Sequence, residues 1–191
     1  IGLAARRVRE GAFAQAQSLL ADLPPDKRGW AWGRMMMLAS REAMTLREET
    51  VRYVRDMACT GDGHFVALCG PEKTTVWNVP ESRRILTIEA GGPDVAFGPT
   101  GKLLLIGRRA YQMPGGKEAF SLPEYSEDMT TVCFDGLGRR IAAGYDDGEV
   151  VVFSVPSGEK LFSWRGHDRA VVDAAFRPEG RYLATGGRAN V

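Results

Sequence analysis

One short pattern occurs four times along this chain: a pair of small or apolar residues, a polar residue or glycine, then a turn that closes on glycine. It reads Ala58-Cys59-Thr60-Gly61-Asp62-Gly63, Ala96-Phe97-Gly98-Pro99-Thr100-Gly101, Cys133-Phe134-Asp135-Gly136-Leu137-Gly138 and Ala175-Phe176-Arg177-Pro178-Glu179-Gly180. The closing glycines, Gly63, Gly101, Gly138 and Gly180, stand 38, 37 and 42 residues apart. Apolar residues alternate with period two around each turn, as half-buried strands require. The clearest hairpin signal is Asp147-Gly148, set between Ile141-Ala142-Ala143 and Val150-Val151-Val152-Phe153. Glycine there accepts the positive φ that a tight turn demands.

A period of roughly 40 residues with four short strands per unit is the signature of a propeller blade. The fold class expected is therefore mainly β: a partial β-propeller of about three and a half four-stranded blades. Residues 43–191 would form it, with blades near 51–90, 91–128, 129–168 and 169–191. Pro80, Pro114 and Pro156 follow the third strand of their units, where a missing N–H ends pairing. The fourth unit is expected to hold only two strands before Val191, so residues 1–191 read as a piece of a larger ring. Expressed alone, such a piece would expose strand edges and be prone to aggregate.

Residues 1–42 carry helical spacing instead and are expected to form a helical hairpin or triplet like those of tetratricopeptide repeats. Gly11 interrupts the first apolar face as a turn between helices, and Pro24-Pro25 stops the second. A third helix is expected from Trp30 to Leu38.

With these residues placed, the chain resembles the WD40 repeat family. Gly166-His167, Val171, Phe176-Arg177-Pro178-Glu179-Gly180 and Leu183-Ala184-Thr185-Gly186 are similar to the opening half of that repeat. Asp147 stands at the turn position that the family fills with Asp, and Trp77-Asn78 where its Trp-Asp pair would be. The resemblance implies that His167, Thr185, Asp147, Trp77 and Phe153 are structural blade residues, beside the four closing glycines. It departs from the family at Tyr111 and Phe153, which replace the tryptophan, and at Pro71 and Ala189, which replace the aspartate. The N-terminal stretch, with Leu23-Pro24-Pro25 and Arg28-Gly29-Trp30-Ala31-Trp32, looks like the segment before the propeller in bacterial WD40 proteins of the planctomycete type. Many of those are linked to a Ser/Thr protein kinase domain. In that arrangement Ala43–Arg47 would be an outer strand donated to the last blade.

Composition narrows the function. The formal net charge of +1 argues against a dedicated nucleic-acid binder. No apolar run approaches the length of a membrane helix, so no membrane contact is expected in this segment. The three cysteines, Cys59, Cys69 and Cys133, have no metal-binding spacing; they are expected to be reduced, buried thiols in a cytoplasmic protein.

The usual catalytic signatures are missing. Gly98-Pro99-Thr100-Gly101-Lys102 resembles the end of a phosphate-binding loop but has Ala96 and Leu103 at its two diagnostic ends. Asp146-Asp147-Gly148-Glu149 lacks the ligand spacing of a calcium loop. His64 and His167 sit near no nucleophile elbow, and no kinase motif occurs.

No enzymatic activity, cofactor or metal is therefore expected. The reading is a non-catalytic scaffold for a protein or peptide partner. The alternative is the regulatory or substrate-recruiting region of a kinase whose catalytic domain lies outside these residues. Candidate partner-binding residues are Tyr145, Asp146, Arg108, Arg109, Arg169 and Arg188, at turns or strand ends, with Trp30 and Trp32 as an aromatic patch.

Overall fold

The computed structural model describes residues 2–39, 46, 48–125 and 128–188. The chain divides into two compact units, Ile1–Arg47 and Glu48–Val191.

The first unit holds helices α1 (Gly2–Arg9), α2 (Phe13–Ala21) and α3 (Trp30–Ala39), with one 3₁₀ turn at Pro25–Lys27. The breaks fall at Gly11 and at the Pro24-Pro25 pair, as the spacing predicts. Ala4, Ala16, Leu20 and Ala39 form the buried centre, where small side chains let the helices approach closely. Arg28 donates to the carbonyls of Leu23 and Ala21 at 2.8 and 2.9 Å, satisfying acceptors that the end of α2 leaves open. Its guanidinium also lies 5.2 Å from the centre of the Trp32 ring. The expected outer strand Ala43–Arg47 falls largely on residues 40–45 and 47, which lie outside the described residues.

The second unit is built from antiparallel strands. The first sheet contains β1 (Asp56–Cys59), β2 (Phe65–Cys69), β3 (Thr74–Asn78) and β4 (Arg83–Ile88). The second contains β5 (Val95–Phe97), β6 (Leu103–Ile106), β7 (Arg109–Gln112) and β8 (Lys117–Ser121). The third contains β9 (Met129–Phe134), β10 (Arg140–Tyr145), β11 (Glu149–Ser154) and β12 (Lys160–Arg165). A two-stranded sheet follows, β13 (Val171–Phe176) with β14 (Leu183–Gly187). Strand order within each sheet is the order along the chain. Three four-stranded sheets and a last one of two strands are the division that the alternation predicts.

The four closing glycines adopt φ values of +71, +69, +65 and +70°, in the left-handed region that side chains resist. Each therefore turns the chain from the first strand of a blade into its second. This shared backbone need explains why the repeat shows at these four positions.

Adjacent blades are joined by apolar layers. Ala67, Cys69, Val76 and Ile88 of the first sheet meet Val95, Leu104, Ile106 and Tyr111 of the second. Leu105, Ala110 and Leu122 meet Val132, Ile141, Ala143, Tyr145, Val151 and Phe153 in the same way. Phe153 is fully buried, filling with a phenyl ring the place where the family resemblance puts a tryptophan.

Polar bonds close the joints at the first strands. The Val95 N–H lies 2.9 Å from Asp56 Oδ2 and 2.8 Å from Asp94 Oδ1. One blade further on, the Val132 N–H donates to Asp94 Oδ2 at 2.7 Å. The third joint differs: the Thr130 hydroxyl donates to the Val171 carbonyl at 2.6 Å, and the Arg140 guanidinium donates to the Gly180 carbonyl. Arg140 is itself held at 3.1 Å by Asp135, whose carboxylate also accepts from the Arg139 N–H.

Candidate functional site

Antiparallel order puts the second-to-third-strand turns and the blade-to-blade connections at one end of the sheets. A cleft of about 470 Å³ opens at this end. Glu72 reaches it from the β2–β3 turn, and Glu89 to Pro93 from the connection between the first two blades. Ile106 to Arg109 supply the β6–β7 turn, while Asp128 and Met129 lead into the third blade. Three blades therefore contribute to one depression.

Its floor is made by backbone. A Cβ at Gly91 would lie 2.3 Å from the Gly70 carbonyl oxygen, and one at Gly92 would lie 3.0 Å from the Gly107 nitrogen. Only glycine lets the connection press this closely onto the neighbouring turns. The walls are charged. Arg108 is braced by the Glu124 carboxylate at 2.6 Å and by the Leu122 carbonyl at 3.4 Å, and Arg109 is exposed beside it. The acidic groups Glu72, Glu89 and Asp128 share the same lining. Such a surface offers guanidinium donors and carboxylate acceptors over an apolar patch from Pro93, Ile106 and Met129, which suits a polypeptide segment.

The sequence-predicted residues separate clearly on this frame. Arg108 and Arg109 line the cleft. Asp146, Arg169 and Arg188 are exposed at the same end of the sheets, and the Asp146 N–H donates to the Asp128 carbonyl at 3.0 Å. Tyr145 was expected to face a partner, but it is only 1% exposed. It continues the inward face that Ile141 and Ala143 set along β10, and its ring lies 4.6 Å from the Tyr125 ring centre. Trp32 is likewise committed within its own unit: its indole N–H donates to the Leu20 carbonyl at 2.7 Å. Trp30 is 78% exposed, so the two tryptophans do not form one patch.

The structural residues also find partners. His167 Nε2 and the Thr185 hydroxyl are 2.9 Å apart, within the last sheet's hairpin and its lead-in. Asp147 accepts from the Glu149 N–H at 2.9 Å and so caps its own turn. Ala189, the other member considered in that blade, lies outside the described residues. Trp77 makes its bond to Glu48 Oε2, at 3.1 Å. Glu48 also receives the Thr75 hydroxyl at 2.8 Å and the Thr50 N–H at 2.6 Å, and its side chain is 6% exposed. Burial alone would raise its pKa, but these hydrogen bonds outweigh it and hold the group at about 2.

Sequence reasoning missed Glu48, and it missed Glu72, Glu89 and Asp128 as lining groups. The Gly91-Gly92 pair after Glu89 was the available sign of a close backbone approach. Among the described residues, no group of three or more His, Cys, Asp or Glu is placed to hold a metal ion. All three cysteines are free thiols, and Cys59 is exposed rather than buried because it faces outward on β1. Burial pushes the Cys69 and Cys133 thiols up, Cys133 to about 11, which keeps both protonated at neutral pH.

Residues 158–190 match the family model described as WD domain, G-beta repeat. On this match and on its four-stranded antiparallel sheets, the chain carries WD40-type blades. It is 32% identical over 77 residues to WD repeat and HMG-box DNA-binding protein 1 from Mus musculus, covering 40% of this chain and 7% of that protein. It is 29% identical over 99 residues to Periodic tryptophan protein 2 homolog from Dictyostelium discoideum, covering 49% of this chain and 11% of the relative. A further similarity is to Guanine nucleotide-exchange factor SEC12 from Rattus norvegicus, 36% over 55 residues, with 29% and 13% covered. The chain thus spans only about a tenth of the length of these curated relatives. No described helix is long and apolar enough to cross a membrane.

Proposed function

We propose that this chain is a non-catalytic interaction scaffold whose charged cleft holds a segment of a partner protein. The observation that carries the reading is the convergence of Arg108, Arg109, Glu72, Glu89 and Asp128, from three blades, on a glycine-floored depression. Loops on a rigid sheet frame suit recognition, because the frame meets the ordering cost before the partner arrives. Blade packing in this chain supplies that frame.

The test is selection of random displayed peptides on the full chain, followed by affinity measurement with Arg109→Glu. Selected peptides should bind the parent protein and lose at least about tenfold in affinity to the variant, as expected when a close charge pair becomes a repulsion. Lys117→Glu, on an outer strand, should leave binding unchanged. Peptides that bind all three proteins equally would overturn the assignment.

A second reading draws on the order of helical unit and blades, together with the Arg28-Gly29-Trp30-Ala31-Trp32 motif. In it the chain is the regulatory or substrate-recruiting region of a bacterial Ser/Thr kinase of the planctomycete type. Kinase signatures encoded upstream in the same reading frame would support it; an upstream sequence of another kind would remove it.

A further inference from the structure

Two carboxyl groups converge on one amide at the joint between the first and second blades. Asp56 Oδ2 and Asp94 Oδ1 both lie within 2.9 Å of the Val95 nitrogen, which has a single hydrogen to offer. The two carboxyl groups are thus brought together at a single donor, and the Asp56 carboxyl acts to raise the pKa of Asp94. Two carboxylates this close repel, and a proton held between them turns the repulsion into a bond. Among the described residues, neither carboxyl pairs with a lysine or arginine.

The surroundings reinforce the arrangement. From β9 the Val132 N–H bonds to Asp94 and the Thr131 side chain acts to lower its pKa, while the Cys133 thiol on that strand is protonated and neutral. The Cys69 thiol faces the pair from β2, also protonated. Asp173 on β13 adds negative charge near Cys133. β6 contributes no titratable side chain. Burial first, and the Asp56 contact second, push Asp94 up to about 7.

We propose that Asp56 and Asp94 hold one proton between them, and that losing it loosens the joint between the first two blades. The joint lies directly beneath the cleft: Asp94 follows Pro93, and its carbonyl accepts from the Gly107 N–H at 3.0 Å. Proton loss near neutrality therefore softens the floor on which a bound segment would rest. The device stands whatever the cleft holds.

Amide hydrogen exchange of the full chain between pH 5 and pH 8 tests it. After correction for intrinsic base catalysis, Val95 and Val132 should lose about tenfold in protection, the loss that one pKa unit of linkage produces. Val171, at a joint closed without this carboxyl pair, should keep its protection. Asp94→Asn can donate to Asp56 and accept from Val132 with no proton to lose, so its Val95 protection should be flat with pH. Equal pH dependence in the two proteins, or none in the parent, would overturn the proposal. If the variant does not fold, a carbon-13 titration of the parent's Asp94 carboxyl decides. A midpoint above pH 6 supports the shared proton, and one near 4 refutes it.

Discussion

Trp77 donates its indole N–H to Glu48 Oε2 across 3.1 Å, although 29 residues separate the two. A tryptophan that the WD40 resemblance would place in a hydrogen-bond set within its own blade is here served by a carboxylate from the lead-in to β1. Thr75 and Thr50 share that carboxylate, and Arg84 approaches it at 3.5 Å. The first blade is thereby tied to the segment that precedes it.

Glu48 should govern the acid limit of stability. Its pKa is about 2 in the folded chain, against an ordinary value of 4.5, so the unfolded state takes up the proton first as pH falls. The stabilisation is fully present above pH 4.5 and is lost as pH drops towards 2, amounting to about 3 kcal/mol over that window. Glu48→Gln should cost about 2 kcal/mol at pH 7 and almost nothing at pH 2, a size typical of charge-assisted bonds. Urea unfolding across this range measures it; parallel acid profiles for the two proteins would contradict the role.

Two glycines of the same type should respond very differently to alanine. Gly148 has φ +90°, and a Cβ there would lie 1.9 Å from the His167 carbonyl oxygen. Gly63 has φ +71° but open space around the added carbon. Gly63→Ala should cost about 1 kcal/mol from backbone strain alone, whereas Gly148→Ala should cost upwards of about 3 kcal/mol because the chain must move. Thermal melts of the two variants test the ranking, and equal losses would refute it.

Tyr145 carries a buried hydroxyl with no hydrogen-bond partner among the described residues. Burial and the neighbouring Tyr125 push its pKa upward, so it remains neutral. Tyr145→Phe keeps the ring packing and removes the unpaired group, and should stabilise the chain by about 1 kcal/mol. A loss of stability in denaturant unfolding would show that the hydroxyl is satisfied in solution.

Period-two alternation and the recurrent glycine were enough to read the mainly-β class and the division into four-stranded sheets with a partial one, because both follow from local backbone requirements. Gly11 and Pro24-Pro25 marked the helix breaks for the same reason. What stayed hidden depends on contacts across the chain or on where a strand ends. Tyr145 precedes Asp146-Asp147-Gly148 and reads as part of an exposed turn, but β10 runs on through it and buries it on the face of Ile141 and Ala143. Glu48 looks like an ordinary surface acid, since its partners Thr75 and Trp77 lie a blade's third strand away. The cleft was half visible: its arginines stand at a turn, while its acids come from separate connections that only folding brings together.

The blade joints differ in chemistry, and this gives the stack no single breaking condition. Carboxyl groups close the first two joints, whereas a hydroxyl and a guanidinium close the third. Alkali weakens the carboxyl pair while leaving the arginine bond intact; a mechanical pull along the strands would load each joint in turn. The stack therefore behaves as couplings in series, each with its own trigger, and a clamp across one cleft would reinforce only the couplings it bridges.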